Sequence, residues 1–174
     1  MNTNDLREII LEKITEETTT NRLRNQLKNS IGQETIANTI KFIETYLSVT
    51  PELIDKVFGV AKQKNLLNQF QPIFNEVFNY WIVEYDFIPD NQGMAGICDD
   101  AYLSLSLMHL IANTKVPGKG KVLIEQFNLE GMNDSMRKLL GPNISSQLDV
   151  IVNATYQSVT IQNPLSALIN MVSG

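Results

Sequence analysis

The chain has 174 residues, of which 43% are hydrophobic and 19% charged, a composition typical of a folded globular protein rather than a disordered one. Its net charge of -5 argues against a general nucleic-acid-binding surface, which requires an excess of Lys and Arg. A single Cys and a single His exclude an internal disulfide and a Cys/His zinc site. The polar N-terminal residues and the lack of a long apolar run predict a cytoplasmic protein without a signal peptide or transmembrane segment.

Apolar residues recur at three- and four-residue intervals through the first half of the chain, which predicts amphipathic helices. The pattern predicts helices over about residues 4–17, 22–29, 33–48, 51–64 and 66–84. Thr50-Pro51-Glu52 predicts a new helix start, because Thr caps helix N-termini and proline is favoured at the first helical position. Pro72 predicts either a helix start near Gln71 or a kink there.

The second half of the chain continues the helical pattern. Residues 101–112 are apolar on nearly every side, which predicts a helix that is buried over most of its surface. The Gly- and Lys-rich segment Lys115–Lys121 predicts a loop, and it lacks the spacing of a phosphate-binding loop. Gly141-Pro142 predicts a break between a short helix and a long one, and a last helical turn is predicted over residues 165–172.

These patterns together predict an all-α fold. We expect a single helical-bundle domain over residues 1–174, with a helix-turn-helix hairpin around residues 66–114. The aromatic row within the hairpin is expected to lie in the core, or to form a dimer or partner surface if part of it is exposed. The row consists of Phe70, Phe74, Phe78 and Trp81.

The segment Tyr85–Tyr102, which we call the acidic turn, is the most unusual part of the chain. It combines Pro89, Gly93 and Gly96 with the four aspartates Asp86, Asp90, Asp99 and Asp100. No Lys or Arg occurs between Lys64 and Lys115, so the turn has no basic neighbours in the sequence. Carboxylates gathered in this way repel one another unless water, backbone amides or a cation lies between them.

The acidic turn resembles the signature of the YkvA-type bacterial family. The resemblance is carried by Asp86-Phe87-Ile88-Pro89-Asp90, then Gly96, then Asp99-Asp100, at the spacing of that signature. The chain has Asn91-Gln92-Gly93 where the family usually has an apolar pair and a proline. The resemblance is limited to this turn and implies a helix-turn-helix hairpin and a bacterial origin. The family's function is not established, so the resemblance implies no activity.

The four aspartates allow two interpretations. In the first, Asp99 caps a helix that begins at Asp100, while Asp86 and Asp90 close side-chain-to-backbone turns around Pro89. In the second, Asp86, Asp90, Asp99 and Asp100 supply the oxygen ligands that Mg²⁺ or Ca²⁺ prefers, although their spacing is not that of an EF-hand.

No complete catalytic set is evident elsewhere. Cys98 and His109 are predicted to pack in the core, since no nucleophile–base pair is indicated by their positions. We therefore predict a non-catalytic module that binds itself or another protein. The alternative is a divalent-metal-dependent enzyme, similar to a phosphoester hydrolase, that uses the four carboxylates of the acidic turn.

Overall fold

The computed structural model describes residues 1–28, 32–83 and 87–160. Within these ranges the chain forms six α-helices and no strand, which confirms the all-α prediction. They are α1 (Thr3–Thr20), α2 (Arg22–Leu27), α3 (Gln33–Gln63), α4 (Leu67–Tyr80), α5 (Cys98–Ala112) and α6 (Glu130–Thr160). A 3₁₀ helix, Asp90–Ile97, leads directly into α5. The helical turn predicted over residues 165–172 lies outside the described residues.

Helix α5 lies at the centre of the bundle, where it contacts α3, α4 and α6. Its residues are buried on nearly all sides, as its largely apolar sequence predicted. Buried side chains from all six helices form one contiguous hydrophobic cluster. The aromatic row belongs to this cluster, since Phe70, Phe74 and Trp81 are buried and Phe78 is partly buried against it. The prediction that the row lies in the core is therefore confirmed for its three buried members.

Helices α4 and α5 flank the acidic turn and contact each other, which gives the predicted hairpin. The buried indole nitrogen of Trp81 donates a hydrogen bond to Ser104 Oγ at 2.9 Å and ties the end of α4 to α5. Helix α4 begins at Leu67, next to the predicted first residue 66, and Pro72 lies inside the helix. Of the two alternatives for Pro72, the helix start near Gln71 is therefore wrong. The buried residues Phe70 and Phe74 lie on either side of Pro72 and hold both parts against the core.

Helix α3 is continuous through Pro51, so the helix start predicted at Thr50-Pro51 is wrong. The apolar stripe explains the difference, because Leu47 and Ile54 continue the same buried face on both sides of the proline. The Thr50 hydroxyl does not cap a helix; it donates to the Tyr46 carbonyl at 2.9 Å. Burial of one long face outweighs the single backbone hydrogen bond that Pro51 cannot make.

Helix α6 consists of two segments that meet at Gly141. This residue has φ 79° and ψ 162°, a conformation outside the helical region that glycine adopts without steric cost. Pro142 follows as the first residue of the second segment, where its missing N–H is not needed. The predicted break at Gly141-Pro142 is confirmed, and it allows the two segments to approach each other beside α5.

The segment between α5 and α6 contains the predicted loop, Lys115–Lys121. Its ends are joined by one isolated bridge between Lys115 and Val122, and the Val116 N–H donates to the Lys121 carbonyl at 2.8 Å. Lys121 forms an ion pair with Glu125 at 3.0 Å.

Among the described residues, none of the helices has the length and apolar character that crossing a membrane requires.

Candidate functional site

The acidic turn is held together by close backbone packing at Gly96. A Cβ atom on this residue would lie 2.6 Å from the carbonyl oxygen of Pro89 and 2.8 Å from Asp90 Cα. Only glycine fits such an approach without displacing the backbone. Gly93 has φ 69° and ψ -137°, which a residue with a side chain rarely adopts. Both glycines therefore shape the turn directly.

Basic side chains from distant parts of the chain reach the acidic turn. Lys13 Nζ on α1 donates to the main-chain carbonyl of Asp90 at 3.1 Å, and Arg22 on α2 donates to the carbonyl of Asn91. Arg22 also lies 3.5 Å from a carboxylate oxygen of Glu16. The turn therefore acquires positive neighbours by tertiary contact, although the sequence around it contains none.

The prediction that Asp99 caps a helix beginning at Asp100 is wrong, because Asp99 lies within α5. Helix α5 begins at Cys98 with Ile97 as its cap residue, so Asp99 already lies in the first turn and is not the cap residue. Asp99 Oδ2 accepts from the backbone N–H of Ile88 at 3.1 Å instead. Asp99 and Asp100 are 0% and 2% exposed and lie near the positive end of the helix dipole. Asp99 thus joins the entry of the turn to the start of α5.

The structure describes three of the four aspartates that were predicted to bind a cation. Asp86 lies outside the described residues, whereas Asp90, Asp99 and Asp100 lie within them. Across residues 1–28, 32–83 and 87–160, no three His, Cys, Asp or Glu side chains are grouped so that they could hold a metal ion. A Mg²⁺ or Ca²⁺ site at the four aspartates stays a prediction.

Cys98 is a buried structural thiol, as predicted. Its Sγ donates to the carbonyl oxygen of Met94 at 3.3 Å. Burial raises the pKa of the Cys98 thiol well above its ordinary value, and the negative charges of Asp99 and Asp100 raise it further. The thiol therefore stays protonated and is a poor nucleophile at neutral pH.

A small apolar groove opens where α2, α3, α5 and α6 meet beside the acidic turn. Its volume is about 140 Å³. Its lining includes Leu23, Leu27, Ile43, Ala95, Met136 and Leu139. Leu139 is 45% exposed although it lines this groove, so it presents an apolar side chain to solvent at the rim. We call this feature the apolar groove.

A larger polar cavity lies between α5 and the two segments of α6. Its volume is about 320 Å³. Its polar lining includes Tyr102, His109, Asn133, Arg137, Asp149 and Asn153. Glu130 and Asp134 are exposed residues at its edge. Sequence reasoning did not find this feature, which we call the polar cavity.

One wall of the polar cavity is a fixed hydrogen-bond network. The buried Tyr102 hydroxyl donates to Asp149 Oδ1 at 2.7 Å and accepts from Arg137 Nε at 3.2 Å. Arg137 also pairs with Asp149 Oδ1 at 2.9 Å. Burial raises the pKa of Tyr102 above its ordinary value, and the hydrogen bond to Asp149 raises it further. The network joins the two segments of α6 through a residue of α5.

A second wall carries His109 and Asn133, both held by neighbouring groups. His109 Nδ1 accepts from the backbone N–H of Leu129 at 3.3 Å, so the neutral ring carries its proton on Nε2. Asn133 Oδ1 accepts from the Tyr46 hydroxyl at 2.7 Å. His109 was predicted to pack in the core, but it is half-buried at the polar cavity.

A sequence signal for the polar cavity exists within α5. Tyr102, Ser106 and His109 recur at helical intervals and therefore share one face of an otherwise apolar helix. All three line the cavity. A polar stripe on a buried helix indicates a buried network or a binding site, because unsatisfied polar groups are costly in a core.

Comparison with protein-family models, curated proteins and solved structures finds no match to this chain. The resemblance to the YkvA-type family stays a prediction that rests on the motif of the acidic turn alone. Function must accordingly be inferred from the geometry of the groove, the cavity and the turn.

Proposed function

We propose that the protein is a non-catalytic interaction module that associates through the apolar groove, with a second copy of itself as the partner to be tested first. The observation that carries this proposal is the exposed Leu139 at the rim of an apolar groove of about 140 Å³. A void of that order accommodates a single small apolar group such as a leucine side chain. Anchor residues that fill pockets of this kind dominate the energetics of protein interfaces.

The groove and its rim suit a symmetric pair. In a two-fold arrangement the same surface is used by both copies, so each Leu139 would enter the groove of the other copy. Insertion would remove Leu139 from water and fill the void lined by Leu23, Ile43 and Met136. A partner of different sequence could use the same groove through its own apolar anchor.

The Leu139→Glu variant tests this proposal. A carboxylate at the rim would have to be desolvated in the interface, so we expect self-association to weaken at least about tenfold. Size-exclusion chromatography with light scattering over a wide concentration range measures the change. Val150→Glu is the matched control, because Val150 is 69% exposed on the same helix and does not line the groove. A wild-type protein that is monomeric at every concentration would argue against self-association.

The second candidate is a divalent-metal-dependent enzyme, similar to a phosphoester hydrolase, that uses Asp86, Asp90, Asp99 and Asp100. The burial of the neighbouring carboxylates of Asp99 and Asp100 favours it. Charged carboxylates in a core require compensation by hydrogen bonds or by a cation. Such an enzyme would use the ion to hold phosphate oxygens.

Thermal melts with Mg²⁺, Ca²⁺ or Mn²⁺ against a chelator test the metal-dependent candidate. A bound ion stabilises the folded state by mass action, so the candidate predicts a higher Tm with metal. Asp99→Asn keeps an oxygen that can accept from the Ile88 N–H but removes the charge, so the shift should shrink in this variant. No shift with any of the three metals would reject the candidate.

A further inference from the structure

We propose that the polar cavity binds a small neutral molecule through a carbonyl oxygen, and that a carboxamide is the class that fits it best. This inference goes beyond the proposed association, because the cavity shares no lining residue with the apolar groove. Its volume of about 320 Å³ lies within the range of sites that hold small molecules. Three side chains in its lining keep an N–H group available, while hydrogen bonds through their other atoms hold them in place.

The orientation of the Asn133 amide is fixed by a residue that does not line the cavity. Asn133 Oδ1 accepts from the buried Tyr46 hydroxyl at 2.7 Å, so Nδ2 points the other way, where the Ser106 hydroxyl lies 3.4 Å away. Ser106 also lines the cavity. Nδ2 carries two hydrogens, and a hydrogen bond of 3.4 Å is long. Within the part of the chain that the structure describes, Nδ2 has no other hydrogen bond, so one of its hydrogens is left for a ligand.

His109 and Arg137 supply two further donors. His109 Nδ1 accepts from the Leu129 N–H at 3.3 Å, which leaves the proton on Nε2. Arg137 uses Nε on the Tyr102 hydroxyl at 3.2 Å and Nη2 on Asp149 at 2.9 Å. Among the described residues, neither His109 Nε2 nor Arg137 Nη1 makes a hydrogen bond. The lining is therefore rich in N–H donors, which a carbonyl oxygen with its two lone pairs matches.

The charges of the lining favour a neutral ligand. Arg137 is its single positive group, and it already pairs with Asp149 at 2.9 Å. Glu130 and Asp134 are also carboxylates, so an anion would meet three negative side chains against one positive. A cation is no better matched, because an ammonium group presents N–H donors to N–H donors. A neutral carbonyl oxygen satisfies the donors without adding charge.

A carboxamide also matches the rest of the lining. Asn153 Nδ2 donates to the Asp149 carbonyl at 2.8 Å, which leaves Asn153 Oδ1 as an acceptor for the N–H group of an amide. Leu110 and Val152 provide an apolar surface for the body of the molecule. A carboxamide could be free or belong to a side chain of a protein partner. The free molecule fits better, because a volume of about 320 Å³ exceeds what the end of one side chain fills.

The test is a titration of the isotope-labelled full chain with three probes of similar size, followed by backbone amide shifts. Benzamide is neutral, benzoate carries a negative charge and benzylamine carries a positive charge. We expect saturable shifts in α5 and α6 with benzamide. Binding of the two charged probes should be at least about tenfold weaker.

The Asn133→Asp variant tests one donor directly. It removes the Nδ2 hydrogens but keeps an oxygen that accepts from the Tyr46 hydroxyl, so the fold should be retained. We expect this variant to bind benzamide at least about tenfold more weakly than the wild type. Asn143→Asp is the matched control, because Asn143 is an exposed residue of the same helix outside the cavity. It adds the same charge and should bind benzamide as the wild type does.

Three results would overturn the proposal. One is the absence of saturable shifts with benzamide; if N-acetylglutamine amide binds instead, the cavity receives a side chain of a protein partner. Another is binding of benzoate or benzylamine as tight as that of benzamide. The third is equal binding of benzamide by Asn133→Asp and Asn143→Asp.

Discussion

Gly96→Ala is expected to lower the free energy of unfolding by about 2–3 kcal/mol, in the upper part of the range for overpacked sites. The added methyl group would lie 2.6 Å from the carbonyl oxygen of Pro89 and 2.8 Å from Asp90 Cα. These are backbone atoms of a turn that Lys13 and Arg22 also contact, so they cannot move aside as a flexible side chain would. Urea unfolding followed by far-UV circular dichroism measures the effect.

Gly59→Ala is the matched control for this prediction. Gly59 lies in the interior of α3, and apart from its chain neighbours and the adjacent helix backbone no atom lies within 4 Å of the Cβ that alanine would add. Alanine in an open helical position is expected to stabilise the protein by about 0.5–1 kcal/mol, because it restricts the unfolded chain and favours the helix. If both variants were as stable as the wild type, the close packing of the acidic turn would be refuted.

Stability is expected to fall steeply as the pH rises from about 8.5 to 10, by up to about 1.4 kcal/mol per pH unit. The cause is the Cys98 thiol, whose pKa in the folded state is raised by burial and by Asp99 and Asp100. In the unfolded chain the thiol ionises near pH 8.5. Above that pH the folded state holds one proton more than the unfolded state, so unfolding becomes more favourable as the pH rises.

Cys98→Ala isolates this contribution. The variant loses the Sγ–Met94 hydrogen bond and some packing, so it should be less stable than the wild type at pH 7. Its stability should nevertheless depend much less on pH between 8.5 and 10, because no buried thiol has to be deprotonated. Equal slopes in the two proteins would show that the buried thiol does not govern the alkaline transition. The raised pKa of the buried Tyr46 affects stability only above about pH 10.

The sequence predicted most of the helical fold because apolar periodicity reports directly on burial. Helix α5 is the clearest case. Apolar residues cover most of its circumference, and such a helix is buried at the centre of a bundle. Pro51 misled the prediction, because the Thr-Pro-Glu pattern is a local signal for a helix start. The buried stripe through Leu47 and Ile54 is a tertiary effect, and it overrode the local signal.

The chemistry around the acidic turn could be predicted only in part. The close approach at Gly96 and the positive φ of Gly93 agree with the usual roles of glycine in turns. The contacts of Lys13 and Arg22 with the acidic turn could not be predicted from the residues around the turn, which include no Lys or Arg. The two basic residues lie on α1 and α2, which are distant from the turn in the chain. A scan of local charge cannot detect partners that are supplied by the fold.

The polar cavity shows a second limit of sequence reasoning. It is lined by α5 and by two segments of α6 that face each other only because Gly141 breaks the helix. The polar stripe of Tyr102 and His109 was visible in the sequence, but its partners Arg137 and Asp149 were not. Pairings across a helix break require the tertiary arrangement, which periodicity alone does not provide.

The most direct test of the central proposal is an isotope-filtered NOE experiment on an equal mixture of differently labelled copies of the chain. The experiment detects only contacts between copies. The proposed association predicts intermolecular NOEs from the Leu139 methyl groups of one copy to Ile43 and Met136 of the other, with no such contact from Val150. Association without any NOE from Leu139, or no association at millimolar concentration, would contradict the proposal that the apolar groove receives a second copy.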